Sequence, residues 1–242
     1  MFLKEFYSGT NDCINITAEQ GSLFAKEIAN DFNPLHDIDA KRFCVPGDLL
    51  FSMVLEKYGV SRKMNFTFSG MLGHGVTLSF PETQDDHFEV EGSNDKTILK
   101  VDRSGEINKD ESMISDLVRN YVSFSGQNFP YILVPLMAKQ NVMINLTRPL
   151  VMYDSMSLYF ERLNFTDPKV EMLEPELNVN GKRGNAFFHF QIKSGDNVVG
   201  KGFKKIIISG MREYEEEPMQ AFVDNYLASK EAYLNSRGID LS

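Results

Sequence analysis

The stretch Pro46 to Gly59, PGDLLFSMVLEKYG, decides the architecture. Pro46 and Gly47 open a helix that runs to about Gly59. Its apolar residues Leu49, Leu50, Phe51, Met53, Val54 and Leu55 cover nearly every side instead of one stripe, the pattern of a helix enclosed by other structure. Strand-like runs follow at 64–68, 75–80, 87–90 and 97–101, with turn residues between them. One enclosed helix followed by antiparallel strands predicts an α+β architecture in which a sheet curls around the helix.

Working outward from that helix, a short strand is expected around Leu3 to Tyr7. Thr17 and Gln20 have capping-box spacing, and Leu23, Phe24 and Ile28 line one face of the helix they would start. It must stop near Asn33-Pro34, because proline disfavours helical geometry in the residue before it. Downstream, the polar segment Ser104 to Ser112, SGEINKDES, reads as a boundary. Beyond it the order repeats. Ile114, Leu117, Val118, Tyr121 and Val122 form an amphipathic helix, and a second apolar helix spans Tyr131 to about Lys139. Strands are expected at 142–146, 156–165, 170–179, 186–192 and 198–208. A last helix from Pro218 to Ser236 places Phe222, Val223, Tyr226, Leu227, Tyr233 and Leu234 on one face. The reading is therefore of two similar units, residues 1–107 and 108–212, with a helical extension at 213–242.

Bulk composition fits two modest domains: 242 residues, 42 % hydrophobic and 24 % charged. A net charge of -9 argues against a phosphate-tracking nucleic-acid surface and against docking to an anionic membrane. An anionic ligand would need a local basic patch or a helix N-terminus. Cys13 and Cys44 make neither a disulfide framework nor a metal cage, which suits a reducing compartment. The opening MFLKEFYSG carries Glu5 early and has no apolar core of signal-peptide length, and the run Tyr131 to Met137 is far short of a membrane span, so the cytoplasm is expected. The 19 phenylalanines and 12 methionines suit an adaptable apolar tunnel and a plain core equally.

One segment carries chemistry: Asn30-Asp31-Phe32-Asn33-Pro34-Leu35-His36. Asp31 and His36 stand five positions apart across a proline-interrupted helix end, so the backbone can turn both side chains toward one point. A carboxylate beside an imidazole makes an acid–base pair that holds a water and moves its protons. The same residues also suit an ordinary helix-end turn.

The run Asp31 to His36, DFNPLH, resembles the D-x-N-P-[LI]-H signature of MaoC-like dehydratases, the R-specific enoyl-CoA hydratases of hotdog fold. Phe24-Ala25 before it, Pro46-Gly47 after it, and Gly70-Met71-Leu72 with Gly75-Val76 among the following strands extend the resemblance over about the first 105 residues. The remainder resembles a second, degenerate hotdog by element order. The resemblance implies a double hotdog that adds water across a trans-2-enoyl thioester or removes it. Asp31 and His36 would hold the water, and the Gly47 backbone N–H at the helix N-terminus would receive the developing enolate oxygen. Asn33 would position the loop that carries His36, and Lys41 and Arg42 would meet a coenzyme A phosphate. Coenzyme A or acyl carrier protein would enter as part of the substrate, with no separate cofactor. His36 and Gly47 are only 11 positions apart, a short loop that would narrow the entrance or draw Gly47 from the dyad. In place of the family's H-x-D order this chain has Ile38 between Asp37 and Asp39, and Pro46 stands where the family has histidine.

Two other classes fit the same residues. One is a non-catalytic acyl-thioester binder. The other is a thioesterase that uses a helix-borne carboxylate, Asp48 or Glu56, although Asp48 also suits a first-turn residue complementing the helix dipole. His74, His87 and His189 have no metal-ligand spacing, so no metal is expected. Ser123, Ser125 and Gly126 form no G-x-S-x-G elbow, and phosphate-binding glycine motifs are absent. Lys201, Lys204 and Lys205 read as a solvated strand edge. Two hotdogs in one chain would cover each other's open surface, which allows a monomer or a homodimer.

Overall fold

A computed structural model describes residues 2–10, 13–93 and 95–238. Six strands come from the first half: β1 (Ser8–Thr10), β2 (Cys13–Asn15), β3 (Val60–Phe68), β4 (Leu78–Ser79), β5 (His87–Gly92) and β6 (Lys96–Asn108). Six more follow: β7 (Val142–Met143), β8 (Leu150–Phe160), β9 (Pro168–Asn180), β10 (Arg183–Ser194), β11 (Asn197–Ser209) and β12 (Arg212–Glu213). All but β7 and β12 join in one ten-stranded sheet of order β1-β2-β4-β5-β6-β3-β8-β11-β10-β9. Each pairing in it is antiparallel.

The halves meet at β3 and β8, where Met64 stands opposite Leu158 and Phe66 opposite Met156. Counting outward from this seam, the order is β3-β6-β5-β4-β2-β1 on one side and β8-β11-β10-β9 on the other, so the first four strands on each side follow one relative order. The fold is the double hotdog, α+β with a C-terminal helix.

Helix α1 (Ala18–Leu23) begins with a full capping box: Thr17 Oγ1 accepts the Gln20 N–H at 3.2 Å, and Gln20 Oε1 accepts the Thr17 N–H at 3.1 Å. It loosens into a π-helical turn at Phe24–Ile28, and Asn30 then adopts φ of 53°. Helix α2 (Gly47–Tyr58) is the enclosed helix, with Leu49, Leu50, Phe51, Met53, Val54 and Leu55 all at 3 % exposure or less. Helix α3 (Glu111–Gly126) is capped by Asp110, whose carboxylate accepts the Met113 N–H, and it packs Leu117, Tyr121 and Val122 into the same core.

Three expectations change. Residues 2–5 form a 3₁₀ turn instead of a strand, with the strand starting only at Ser8. The polar segment from Ser104 remains in β6 as far as Asn108, because a solvated edge of a long antiparallel ribbon tolerates charge. The second apolar helix divides into α4 (Asn128–Tyr131) and α5 (Leu133–Lys139), and in α5 only Leu133 and Met137 are buried. Among the described residues, the second half thus has no enclosed helix of the length of α2.

Helix α6 (Glu216–Arg237) buries Met219, Tyr226 and Leu234. It packs Tyr226 and Tyr233 edge-on against Phe32, and the Tyr226 hydroxyl accepts the Phe32 N–H at 3.1 Å. The C-terminal helix therefore buttresses the loop between Asp31 and His36. Among the described residues, no helix is long and apolar enough to cross a membrane.

Candidate active site

The Asp31 to His36 loop leaves helical geometry at Asn30 and is held by its own polar groups. Asp31 Oδ1 accepts the Asn33 N–H at 2.9 Å, and Asn33 Oδ1 accepts the Leu35 N–H at 3.1 Å, capping a 3₁₀ turn over Pro34–His36. The Cys44 carbonyl lies 2.7 Å from His36 Nδ1. A carbonyl only accepts, so Nδ1 carries the proton and Nε2 faces the site. Asp31 Oδ2 stands 3.6 Å from that Nε2. The two side chains converge, beyond ordinary hydrogen-bond length, with exposures of 12 % for His36 and 25 % for Asp31.

Glycine at 126 permits this placement. A Cβ there would come within 1.9 Å of the Ala29 carbonyl oxygen and 3.1 Å of Asp31 Cβ, so the end of α3 approaches the loop as only glycine can.

A cavity of about 140 Å³ is lined by Asp31, His36, Gly47, Asp48, Tyr153 and Lys204, among others. The short loop between His36 and Gly47 thus keeps the start of α2 and the dyad on one space. Pro46 offers no capping side chain to the first turn of α2. A larger space of about 450 Å³ adjoins it and shares Asp31, Asn33, Leu35, Met71 and Lys204 as walls. Its other walls are mainly apolar and come mostly from the second half and α6, with Leu133, Leu146, Leu150, Phe188 and Phe222 among them. Lys41 and Arg42 are exposed on its rim, beside Arg148.

Burial acts on the ionisable groups in opposite directions. For His36, burial disfavours the charged form, but the nearby Asp31 carboxylate, the Cys44 carbonyl and the charge of Asp48 outweigh it and hold the pKa above its ordinary 6.5. A group raised on folding contributes stability that is fully present below its unfolded pKa and lost as pH rises through the folded value. NMR titration of His36 should give a midpoint above 6.5, and stability should fall as pH climbs through that midpoint. A midpoint below 6.5 would show that the carboxylate does not engage the ring. For Asp48, burial raises the pKa against the opposing pull of Lys204 and Ser125. Burial also pushes the Cys44 thiol up, to about 11, so it is no ready nucleophile.

The cluster of Lys204, Ser125 and Asp48 escaped the sequence reading. Lys204 is 7 % exposed on β11, between β8 and β10, which corrects its assignment to a solvated edge. Its Nζ donates to Ser125 Oγ at 2.5 Å, and Ser125 Oγ donates to Asp48 Oδ2 at 2.6 Å. The serine hydroxyl is thus engaged on both sides. Among the described residues, Asp48 Oδ1 has no hydrogen-bond partner. The only advance signal was the position of Lys204 two residues before the apolar Ile206, on the same strand face.

Glu56 sits apart from this group, two turns further along α2, with the Tyr7 hydroxyl donating to its carboxylate at 3.1 Å. Lys205 pairs with Asp154 at 3.0 Å, and Lys201 lies over the Tyr159 ring on the outer sheet face. His74 is exposed near Phe43, His87 pairs with Asp102 at 2.7 Å, and His189 lies against Phe203. Among the described residues, no three His, Cys, Asp or Glu side chains gather to hold a metal ion.

Several solved structures are similar in chain path. A conserved protein of unknown function with hot dog fold from Alicyclobacillus acidocaldarius shares 8 % identity, with 86 % of this chain and 98 % of that one covered and a TM-score of 0.44. The acyl-CoA thioesterase II TesB2 from Mycobacterium marinum shares 11 % identity over 89 % of this chain and 99 % of that one, with a TM-score of 0.40. A tesB protein from Mycobacterium avium subs paratuberculosis shares 8 % identity over 68 % and 87 %, with a TM-score of 0.41. No curated protein matches the sequence. Residues 1–217 match the family model described as protein of unknown function (DUF3581), and the chain belongs to that family.

Proposed function

We propose that this protein adds water to a trans-2-enoyl thioester, or removes it from a 3-hydroxyacyl thioester, between Asp31 and His36. The matched family model carries no activity, so the reading rests on the site. One observation carries it: the Asp31 and His36 side chains converge to 3.6 Å in a cavity that also reaches Gly47.

In this reading a water donates one hydrogen bond to Asp31 Oδ2, and its oxygen bonds the β-carbon of the enoyl group. The displaced π pair moves onto the thioester oxygen as an enolate. The first-turn amide of Gly47, favoured by the helix dipole, receives that charge. The enolate collapses as its α-carbon takes a proton from His36 Nε2, and the proton held by Asp31 passes to the imidazole. Water has then been split between the two carbons and both side chains are restored. An imidazole whose charged form is favoured suits the donor role. Asn33 fixes the loop through its cap on Leu35, and Lys41 and Arg42 offer positive charge for a carrier phosphate.

Asp48 favours a second reading, hydrolysis of the thioester. It lines the same cavity with one carboxylate oxygen unpartnered, and its raised pKa suits a base. Glu56, held by Tyr7 away from that cavity, has no comparable claim.

Incubation with crotonyl-CoA separates the readings. Loss of the conjugated enoyl absorbance without free thiol is the expected result. Thiol release would favour the Asp48 reading. Silence in both signals, with the protein stabilised against heat by acyl-CoA, would replace catalysis with binding.

A further inference from the structure

We infer that Lys204, supplied by the second half of the chain, is a further positioning residue that holds the carbonyl oxygen of a bound acyl thioester. The inference rests on the thioester reading of the cavity and extends it to a residue outside the motif.

Lys204 Nζ has three N–H donors, and among the described residues Ser125 Oγ is its one hydrogen-bond acceptor. Asp48 Oδ2 stands 4.0 Å away, close enough to balance charge but too far for a hydrogen bond. The Tyr153 ring lies against the ammonium at 4.3 Å, closing another side. A lysine side chain only 8 % exposed and short of acceptors is costly unless something else engages it. Its position suggests what that is, since Lys204 forms a wall of both cavities, with the dyad and Gly47 on one side and the apolar space on the other. A thioester seated with its reacting carbons at the dyad has its carbonyl one bond away, within the smaller cavity that Lys204 and Gly47 also line.

The charges agree. Asp31 and Asp48 are two carboxylates on the smaller cavity, and protonated His36 with Lys204 are the two cations facing them. The site is near neutral before substrate arrives, so the ammonium is held by Asp48 without being fully satisfied by it. The arrangement also gives the second half a role in chemistry, although it has no Asp–His motif of its own.

The test compares two ligands that differ only at the carbonyl: octanoyl-CoA and its S-octyl thioether, measured by calorimetric titration at moderate salt. Wild-type protein is expected to bind the thioester about tenfold more tightly, a typical yield of one charge-assisted hydrogen bond. Lys204→Met should bind both ligands equally and leave thioether affinity unchanged. Lys204→Gln, which can still donate to Ser125, covers the case in which the methionine variant fails to fold, and should lose most of the preference. Equal binding of the two ligands by wild-type protein, or a preference that survives both substitutions, overturns the inference. Because this readout needs no turnover, loss of the carbonyl preference with no crotonyl-CoA chemistry would retire the hydratase reading and keep Lys204. The reverse outcome would do the opposite.

Discussion

Asp31→Asn is expected to slow crotonyl-CoA hydration by about a hundred- to ten-thousand-fold, the usual weight of one general acid–base group. The substitution is close to isosteric. Its amide oxygen can still accept the Asn33 N–H that Asp31 Oδ1 accepts at 2.9 Å, so the loop should keep its shape. What disappears is the ability to take a proton from water and to favour the charged form of His36. His36→Ala should cause a loss of similar size, and the double variant should be little worse than either, because residues acting as a unit do not add. Asp31 is partly exposed, so stability should change by less than about 1 kcal/mol. Stopped-flow or steady-state absorbance with a parallel melting curve checks both halves of this claim. Retention of more than a tenth of wild-type activity by the asparagine variant would remove Asp31 from the chemistry.

Phe51→Ala should produce the largest loss of stability, about 3–5 kcal/mol. Phe51 is 0 % exposed in the middle of α2 and meets two rings edge-on, Phe66 of β3 at 5.1 Å and Tyr121 of α3 at 4.9 Å. It therefore joins the enclosed helix to the strand of the first half that meets the second and to the first long helix of the second. Truncation removes the transfer energy of the ring and both aromatic contacts, and it leaves a void where three elements meet. For a chain of this size each kcal/mol shifts Tm by roughly 2–4 °C, so calorimetry should show a fall of about 6–20 °C. A shift of under about 2 °C would mean that α2 is not enclosed as described.

Much of this was legible because it is local. Helix α2 displays its burial in its own composition, since a helix apolar on every side has nowhere to go but inside. The capping box of Thr17 and Gln20 closes over three residues, and the Asp31 to His36 turn over five, so spacing alone constrains what they can do. The first element and the second apolar helix misled for the complementary reason. Short apolar runs suit strand, turn and helix alike until their neighbours choose. Residues 2–5 curl because Leu3 and Phe6 pack into the main core, and α5 is short because two buried side chains are all it needs against its part of the sheet.

By itself, the sequence determined an enclosed helix and a carboxylate and an imidazole brought together beside a proline turn, because each depends on residues within a few positions of one another. Only the tertiary structure joined Lys204 to Ser125, 79 residues apart, and Ser125 to Asp48, 77 residues apart. Strand alternation says that Lys204 faces away from Lys205 but not which face is inward. That choice was made by the pairing of β11 between β8 and β10, and with it the second half of the chain came to form one wall of the first half's site.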